Sequence, residues 1–282
     1  MKVFCAIALR NEARFLPGFL HHIRDHVDGI VALDDGSSDA TTTILATEPK
    51  VLALLRDTDA GHAAHAHETA NRYRLFLEAQ RLGADWVLCA DADERYETTF
   101  LRRLHREAWM GEHRQRFVRL VNIVNLWDSP LHYRLDGPSG SRWTARMFRL
   151  PRRFTARPPG MHQPWFPPEL DGAPMARMHA RLYHLRMIEA ADRRARFAKF
   201  DTVDASASEQ SIGYRHMIEE SGLRLRRVSR WRAYADLPRP APATAPPEVA
   251  APARTAPPQL PAPGFSGFDF AAIFGEWRQR WQ

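Results

Sequence analysis

Four apolar runs alternate with segments of helical period through the first hundred residues, and that alternation admits essentially one fold class. Val3 to Leu9, Ile30 to Leu33, Val51 to Leu55 and Trp86 to Ala90 are continuously hydrophobic, as expected of strands buried on both faces of a sheet. Between them, Leu16, Phe19, Leu20, Ile23 and Val27 fall on one helical stripe. Pro17 suits the first turn of that helix and Gly29 ends it. Asp39 is placed to cap a second helix, Ala64 to Leu82 has the period of a longer one, and Thr98 opens another. Strands joined by helices of this length predict an α/β fold: a Rossmann-like, mostly parallel sheet flanked by helices, with right-handed crossovers.

Beyond residue 110 the pattern loosens. Phe117 to Leu126, Ala145 to Leu150 and Leu182 to Leu185 read as mixed strands, and Ile188 to Val203 and Ser208 to Glu220 as helices. Residues 1–110 therefore form the first half of one domain and residues 111–237 its second half. Residues 238–264, dominated by proline and alanine, predict a disordered linker, and 265–282 an aromatic-rich terminal helix.

Composition excludes several classes. No apolar run reaches the ~18 residues of a membrane span, and Val3 to Leu9 is too short for a secretion signal, so a cytoplasmic protein is expected. Cys5 and Cys89 lie inside apolar runs and read as free buried thiols. The net charge of +7 is nearly all arginine, lysine occurring only at positions 2, 50 and 199. That pattern fits a coding bias as well as it fits a polyanion partner, and no nucleic-acid partner is assigned. The arginine-dense stretches 142–157 and 193–232 and the aromatic terminus leave peripheral contact with the inner face of a membrane as an expectation.

In open α/β sheets ligands bind beyond the carboxyl ends of the strands. The four runs release Arg10-Asn11-Glu12, Asp34-Asp35, Arg56-Asp57 and Asp91-Ala92-Asp93 at those ends. Two carboxylates separated by one residue in an extended segment project to the same side. Oxygen ligands of that kind suit Mg2+ or Mn2+, which leave coordination positions open for phosphates.

The order Arg10-Asn11-Glu12, then Asp34-Asp35-Gly36-Ser37-Ser38-Asp39-Ala40-Thr41, then Asp91-Ala92-Asp93 resembles the nucleotide-binding half of family 2 glycosyltransferases of GT-A fold, over about residues 1 to 110. The resemblance implies an enzyme that moves a sugar from a nucleotide-diphosphate donor to a hydroxyl of a carbohydrate or glycolipid acceptor, with inversion, using Mn2+ or Mg2+. It implies that Ala8 and Arg10, with Asn11, Glu12 and Asp34 beside them, approach the nucleotide. Asp35 would accept a hydrogen bond from a uracil-type base, Asn71 or Arg72 would lie near base and ribose, and Asp91 would face the ribose or sugar. Asp93 would bind the metal, with His184 completing its coordination. Where related sequences carry a His-Glu pair, Met161-His162-Gln163 has glutamine, so the general base stays open among Glu169, Asp171 and His162.

Other groupings have plainer readings. His21, His22 and His26 lie off the apolar stripe and read as a solvated face, and His62, His65 and His67 as an ordinary loop. Trp127, Tyr133, Trp143 and Trp165 read as core. A dehalogenase-type phosphatase would need its nucleophilic Asp on the first strand, and a nucleotidyltransferase a glycine-rich basic loop between Leu9 and Leu16. The sequence has neither. A domain that binds donor without turnover is the first alternative, ahead of a metal-dependent nucleotidyltransferase or phosphatase.

Overall fold

The computed structural model describes residues 1–57, 68–159, 163–204 and 213–236. The strands are β1 (Val3–Leu9), β2 (Gly29–Asp34), β3 (Val51–Arg56), β4 (Trp86–Cys89), β5 (Glu94–Tyr96), β6 (Val118–Asn125), β7 (His132–Arg134), β8 (Ser141–Arg149), β9 (Met175–His184) and β10 (Leu225–Arg227). The helices are α1 (Leu16–Ile23), α2 (Thr41–Thr47), α3 (Glu68–Arg81), α4 (Thr98–Leu101), α5 (Leu104–His113) and α6 (Ala190–Val203).

Eight strands form one sheet in the order β3-β2-β1-β4-β8-β6-β9-β5, and β7 and β10 form a separate antiparallel ribbon. From β3 to β4 every pairing is parallel. Beyond β4 the sheet is mixed: β8 runs antiparallel to β4 and β6, β9 parallel to β6, and β5 antiparallel to β9. The fold is thus the α/β Rossmann-like one expected, with its mixed half where the pattern loosened.

Side-chain alternation along β1 divides the core. Val3, Cys5, Ile7 and Leu9 pack into one apolar layer with Leu16 and Phe19 of α1 and Phe100 and Leu104 of the helices after β5. Phe4 and Ala6 point into the other, with Leu75, Phe76 and Ala79 of α3. No side chain caps the start of α1. Its stability comes instead from burying Leu16, Phe19 and Ile23, each worth about 1.5–3 kcal/mol. Gly111 lets α5 sit directly on Trp86, since a Cβ there would lie 2.4 Å from the indole. Both cysteines are free and buried, as expected.

Four local expectations change. Asp39 sits one residue before the N-cap of α2, Ala40, and its Oδ1 accepts from Thr41 N at 2.9 Å. His22 is buried, its Nε2–H donating to the Tyr96 carbonyl at 2.8 Å, so it belongs to the core and not to a solvated face. Burial, reinforced by Arg95, lowers its pKa to about 3. Trp143 is 40% exposed, whereas Trp127 and Tyr133 are core residues as expected. Within residues 213–220 the chain forms only a short 3-10 turn, Arg215–Met217, after Gly213 at φ 62. The linker and the aromatic terminus, with His62, His65, His67 and His162, lie outside the described residues.

Candidate functional site

Because β1 lies between β2 and β4, the segments leaving these three strands meet at one edge of the sheet. The loop after β1 and the loop after β2 are clasped together. Asn11 adopts φ 55, a left-handed conformation that asparagine tolerates better than most residues. There its backbone N–H donates to Ser37 Oγ at 2.9 Å, and its Oδ1 accepts from Ser38 N at 2.7 Å. Glu12 N donates to Thr41 Oγ1 at 2.8 Å.

Asp34 serves this clasp, accepting from Ser37 N at 3.0 Å and from the Thr42 hydroxyl. Burial pulls its pKa up, but the bonds from Ser37 and Thr42 outweigh it and the net shift is downward. Asp35 is left half-buried at the loop tip, where its Oδ1 accepts from Asn71 Nδ2 at 3.1 Å. Arg74 joins Asn71 to Asp57, so the end of β3 supports the same corner. Ala8 and Arg10 lie half-buried at the end of β1.

Asp91, Asp93 and Glu94 leave β4 in a tight turn in which Glu94 N donates to the Asp91 carbonyl and Asp91 N to Glu94 Oε2. Glu94 also accepts from Arg146 Nη2 at 2.6 Å, in a pair that is nearly fully buried. Burial pushes the Glu94 carboxyl up to about 8, against the pull of Arg146. Removing one partner of such a pair costs about 3–5 kcal/mol, which makes Glu94 and Arg146 the frame of the turn. The Arg146 guanidinium lies 4.2 Å from the Trp165 ring centre, and that of Arg72 lies 4.0 Å from it. The side chain of Asp91 stays 44% exposed, and its carboxylate lies 3.4 Å from Arg146.

Asp93 is buried, and its Oδ2 meets two groups from the end of β9. Arg186 Nε donates to it at 2.6 Å, and His184 Nε2 lies 3.2 Å away. Arg186 also reaches Glu12 with Nη2, 2.6 Å from Oε2, joining the loop after β1 to the turn after β4. Burial, together with the Asp93 and Asp91 charges, pushes Glu12 up to about 8 against the pull of Arg186. For Asp93 the balance reverses. Burial would raise it, but His184 in its charged form and the Arg186 guanidinium hold it well below the usual carboxylate range.

The protonation of His184 is assigned from its network. Asn125 Nδ2 donates to the Ser139 carbonyl at 2.8 Å, so Asn125 Oδ1 is the atom 3.0 Å from His184 Nδ1, and Nδ1 must carry the proton. Burial lowers the His184 pKa despite Asp93, which favours the neutral ring. A neutral ring protonated on Nδ1 turns a bare Nε2 lone pair toward an ionised carboxylate. Arg186 already supplies one positive charge beside Asp93, and two acceptors so placed are of the kind that ligate a divalent ion. Their 3.2 Å separation suits neighbouring ligands of one octahedral divalent ion, which lie about 3 Å apart. A backbone or side-chain oxygen fixing the far nitrogen is the usual support of a metal-binding histidine. Among the described residues no group of three or more His, Cys, Asp or Glu is placed to hold a metal. Mg2+ and Mn2+ sites that take phosphates and water as remaining ligands need only one or two protein carboxylates. Asp93 and His184 fit such an ion.

The second-half acids have partners of their own. Glu169 accepts from Thr155 N and Oγ1, both at 2.9 Å, and Asp171 is held by Arg157 at 2.6 Å. The Gln163 backbone carbonyl accepts from Arg72 Nη1. Glu94, Arg146 and Arg186 went unassigned in the sequence. For Arg146 the available signal was an arginine followed by the apolar Met147 and Phe148 in a buried strand, a position that demands a carboxylate partner.

No family model matches the chain, and no curated protein matches it. Among solved structures it is similar to TarS of S. aureus, at 14% identity and TM-score 0.45 over 72% of this chain and 40% of that one. A second TarS structure, residues 1–349, aligns at 16% identity and TM-score 0.31 over 45% and 36%. A cytidylyltransferase from Leptospira borgpetersenii aligns at 13% identity and TM-score 0.31 over 53% of this chain and 61% of that one. The chain spans less than half the length of either TarS chain. Likenesses this remote carry no functional argument, and the functional reading comes from this chain's own residues.

Proposed function

We propose that this protein is a glycosyltransferase that takes a sugar from a nucleotide-diphosphate donor and passes it, with inversion, to a hydroxyl of a carbohydrate or glycolipid acceptor. One observation carries the reading. The base-pocket candidate Asp35 and the carboxylate Asp93 lie on either side of the loop after β1 at a single sheet edge, and Asp93 lies 3.2 Å from His184 Nε2. Asp35, oriented by Asn71, accepts an N–H of the base. Asp34 keeps the loop beneath it closed, and Arg10 and Ala8 border the nucleotide. Glu94 fixes the turn so that Asp91, the most open carboxylate of the group, faces ribose and sugar.

Asp93 and His184 would hold a Mn2+ or Mg2+ ion, and such an ion would supply positive charge to a diphosphate leaving group. Asn125 keeps the lone pair of His184 Nε2 available, and Arg186 adds a fixed guanidinium beside Asp93. The acceptor proton goes to a base for which Glu169, Asp171 and His162 remain the candidates. Replacing Asp35 by alanine is expected to weaken UDP binding by about 1–3 kcal/mol, the cost of one lost hydrogen bond to a buried group. Equal affinity in a calorimetric titration of the folded variant would remove the base-pocket assignment.

The engagement of Glu169 by Thr155 and of Asp171 by Arg157 favours a second reading, a domain that binds donor without turnover. Donor hydrolysis separates the two. A transferase releases UDP slowly from UDP-sugar in the presence of Mn2+, and a binding module releases none.

A further inference from the structure

We propose that the β7–β10 ribbon and the turn that follows it form a docking surface for an anionic lipid bilayer. From residue 221 to residue 235 the chain has no acidic residue, and it carries Arg224, Arg226, Arg227, Arg230 and Arg232. All three residues of β10 are exposed, as is Arg230. Of the neighbouring carboxylates, Asp136 is engaged by Arg134, Glu220 by Arg193 and Glu97 by Arg232 of the run itself, and Glu219 accepts from Ser221 N. Among the described residues Arg226, Arg227 and Arg230 pair with no carboxylate, although Arg230 lies over the Trp231 ring.

Apolar side chains stand among these charges. Trp231 is 70% exposed, Leu131 51% and Leu225 41%. Leu131 stands at the end of the ribbon, where Val228 N donates to its carbonyl at 2.7 Å. Exposed arginines beside an indole and two leucines match a headgroup region, where phosphates meet the guanidiniums and the apolar tips enter the acyl boundary. A nucleic-acid backbone would engage the arginines and leave both leucines without a partner.

Placement ties this surface to the site. β6 ends at Asn125, the residue that holds His184, and Leu131 follows six residues later. The extended chain spans at most about 22 Å over that distance. A docked protein would therefore hold its acidic cluster within about that reach of the bilayer, where a lipid-linked glycan presents its hydroxyl. This acceptor class rests on the proposed glycosyl transfer. The docking itself does not.

The test is co-sedimentation of the full chain with vesicles of phosphatidylcholine alone and of phosphatidylcholine mixed with phosphatidylglycerol. Wild type is expected to sediment with the anionic vesicles only. The variant Arg226→Ser/Arg227→Ser/Arg230→Ser is expected to partition about a hundredfold less, and Trp231→Ser to weaken partitioning at every salt concentration. Thermal midpoints like that of wild type confirm folding, as expected for exposed positions. Variants that sediment like wild type overturn the proposal, because another segment would then carry the binding. Equal sedimentation with neutral vesicles, or capture of RNA in place of vesicles, overturns it as well. UDP titrations of the same variants keep the two readings apart. Loss of vesicle binding with UDP affinity intact supports docking, and a wild type that docks without binding UDP retains the docking surface while losing the donor site.

Discussion

Asn125 makes no contact with a diphosphate in this account, yet it decides which nitrogen of His184 faces Asp93. Replacing it by alanine removes the 3.0 Å acceptor of Nδ1–H and frees the ring to take the other tautomer, whose Nε2–H would donate to Asp93 and could not bind a metal. Loss of such a supporting group lowers metal affinity about 10–100-fold. At one decade per 1.4 kcal/mol this is about 1.4–2.8 kcal/mol. The assay is calorimetric titration of MnCl2 into the UDP-saturated protein, with UDP affinity measured separately in EDTA. The expected split is weaker Mn2+ binding with metal-free UDP affinity unchanged. The Ser139 carbonyl also loses its donor, so the thermal midpoint is read in parallel to show that the variant is folded. Unchanged Mn2+ affinity in a folded Asn125→Ala protein would refute the tautomer argument and the role assigned to His184 with it.

Two further predictions concern the scaffold. Gly111→Ala would ordinarily stabilise a helix by about 1 kcal/mol. Here its Cβ would meet Trp86 at 2.4 and 2.9 Å, so the overpacking cost of about 1–3 kcal/mol should dominate and lower the urea midpoint; a raised midpoint would show that Trp86 yields freely. His22, with a folded pKa of about 3 against about 6.5 unfolded, contributes stability that is complete above pH 6.5 and declines as the pH falls toward 3. At pH 5 the loss is about 2 kcal/mol. His22→Gln, which keeps a donor for the Tyr96 carbonyl, should therefore lose less stability than wild type between pH 7 and pH 5, and identical losses would count against a buried neutral histidine.

The parallel half was legible because strands covered on both faces read as unbroken apolar runs, and β1 to β4 lie within a residue or so of the runs that announce them. The mixed half was less so. β8 begins at Ser141, four residues before the apolar stretch at Ala145, because its exposed Ser141, Arg142 and Trp143 are paired to β6 by backbone alone. β9 begins at Met175, its arginines and histidine alternating with buried Met178 and Ala180. β5 went unread: three residues beginning Glu-Arg carry no strand signal until β9 pairs with them. His22 was misplaced because Tyr96, which receives its proton, is seventy-four residues away. At the site, Asp35, Asp91 and Asp93 follow from what leaves each strand, and His184 was suggested only by the family resemblance. Glu94, Arg146 and Arg186 depend on pairings between distant segments, which local spacing does not encode.

The most direct measurement is titration of UDP into wild type and Asp93→Asn, each with MnCl2 and with EDTA. The account predicts that Mn2+ tightens UDP binding to wild type and has no effect on the variant, while both bind UDP similarly in EDTA. The same Mn2+ enhancement in a folded Asp93→Asn protein would contradict it.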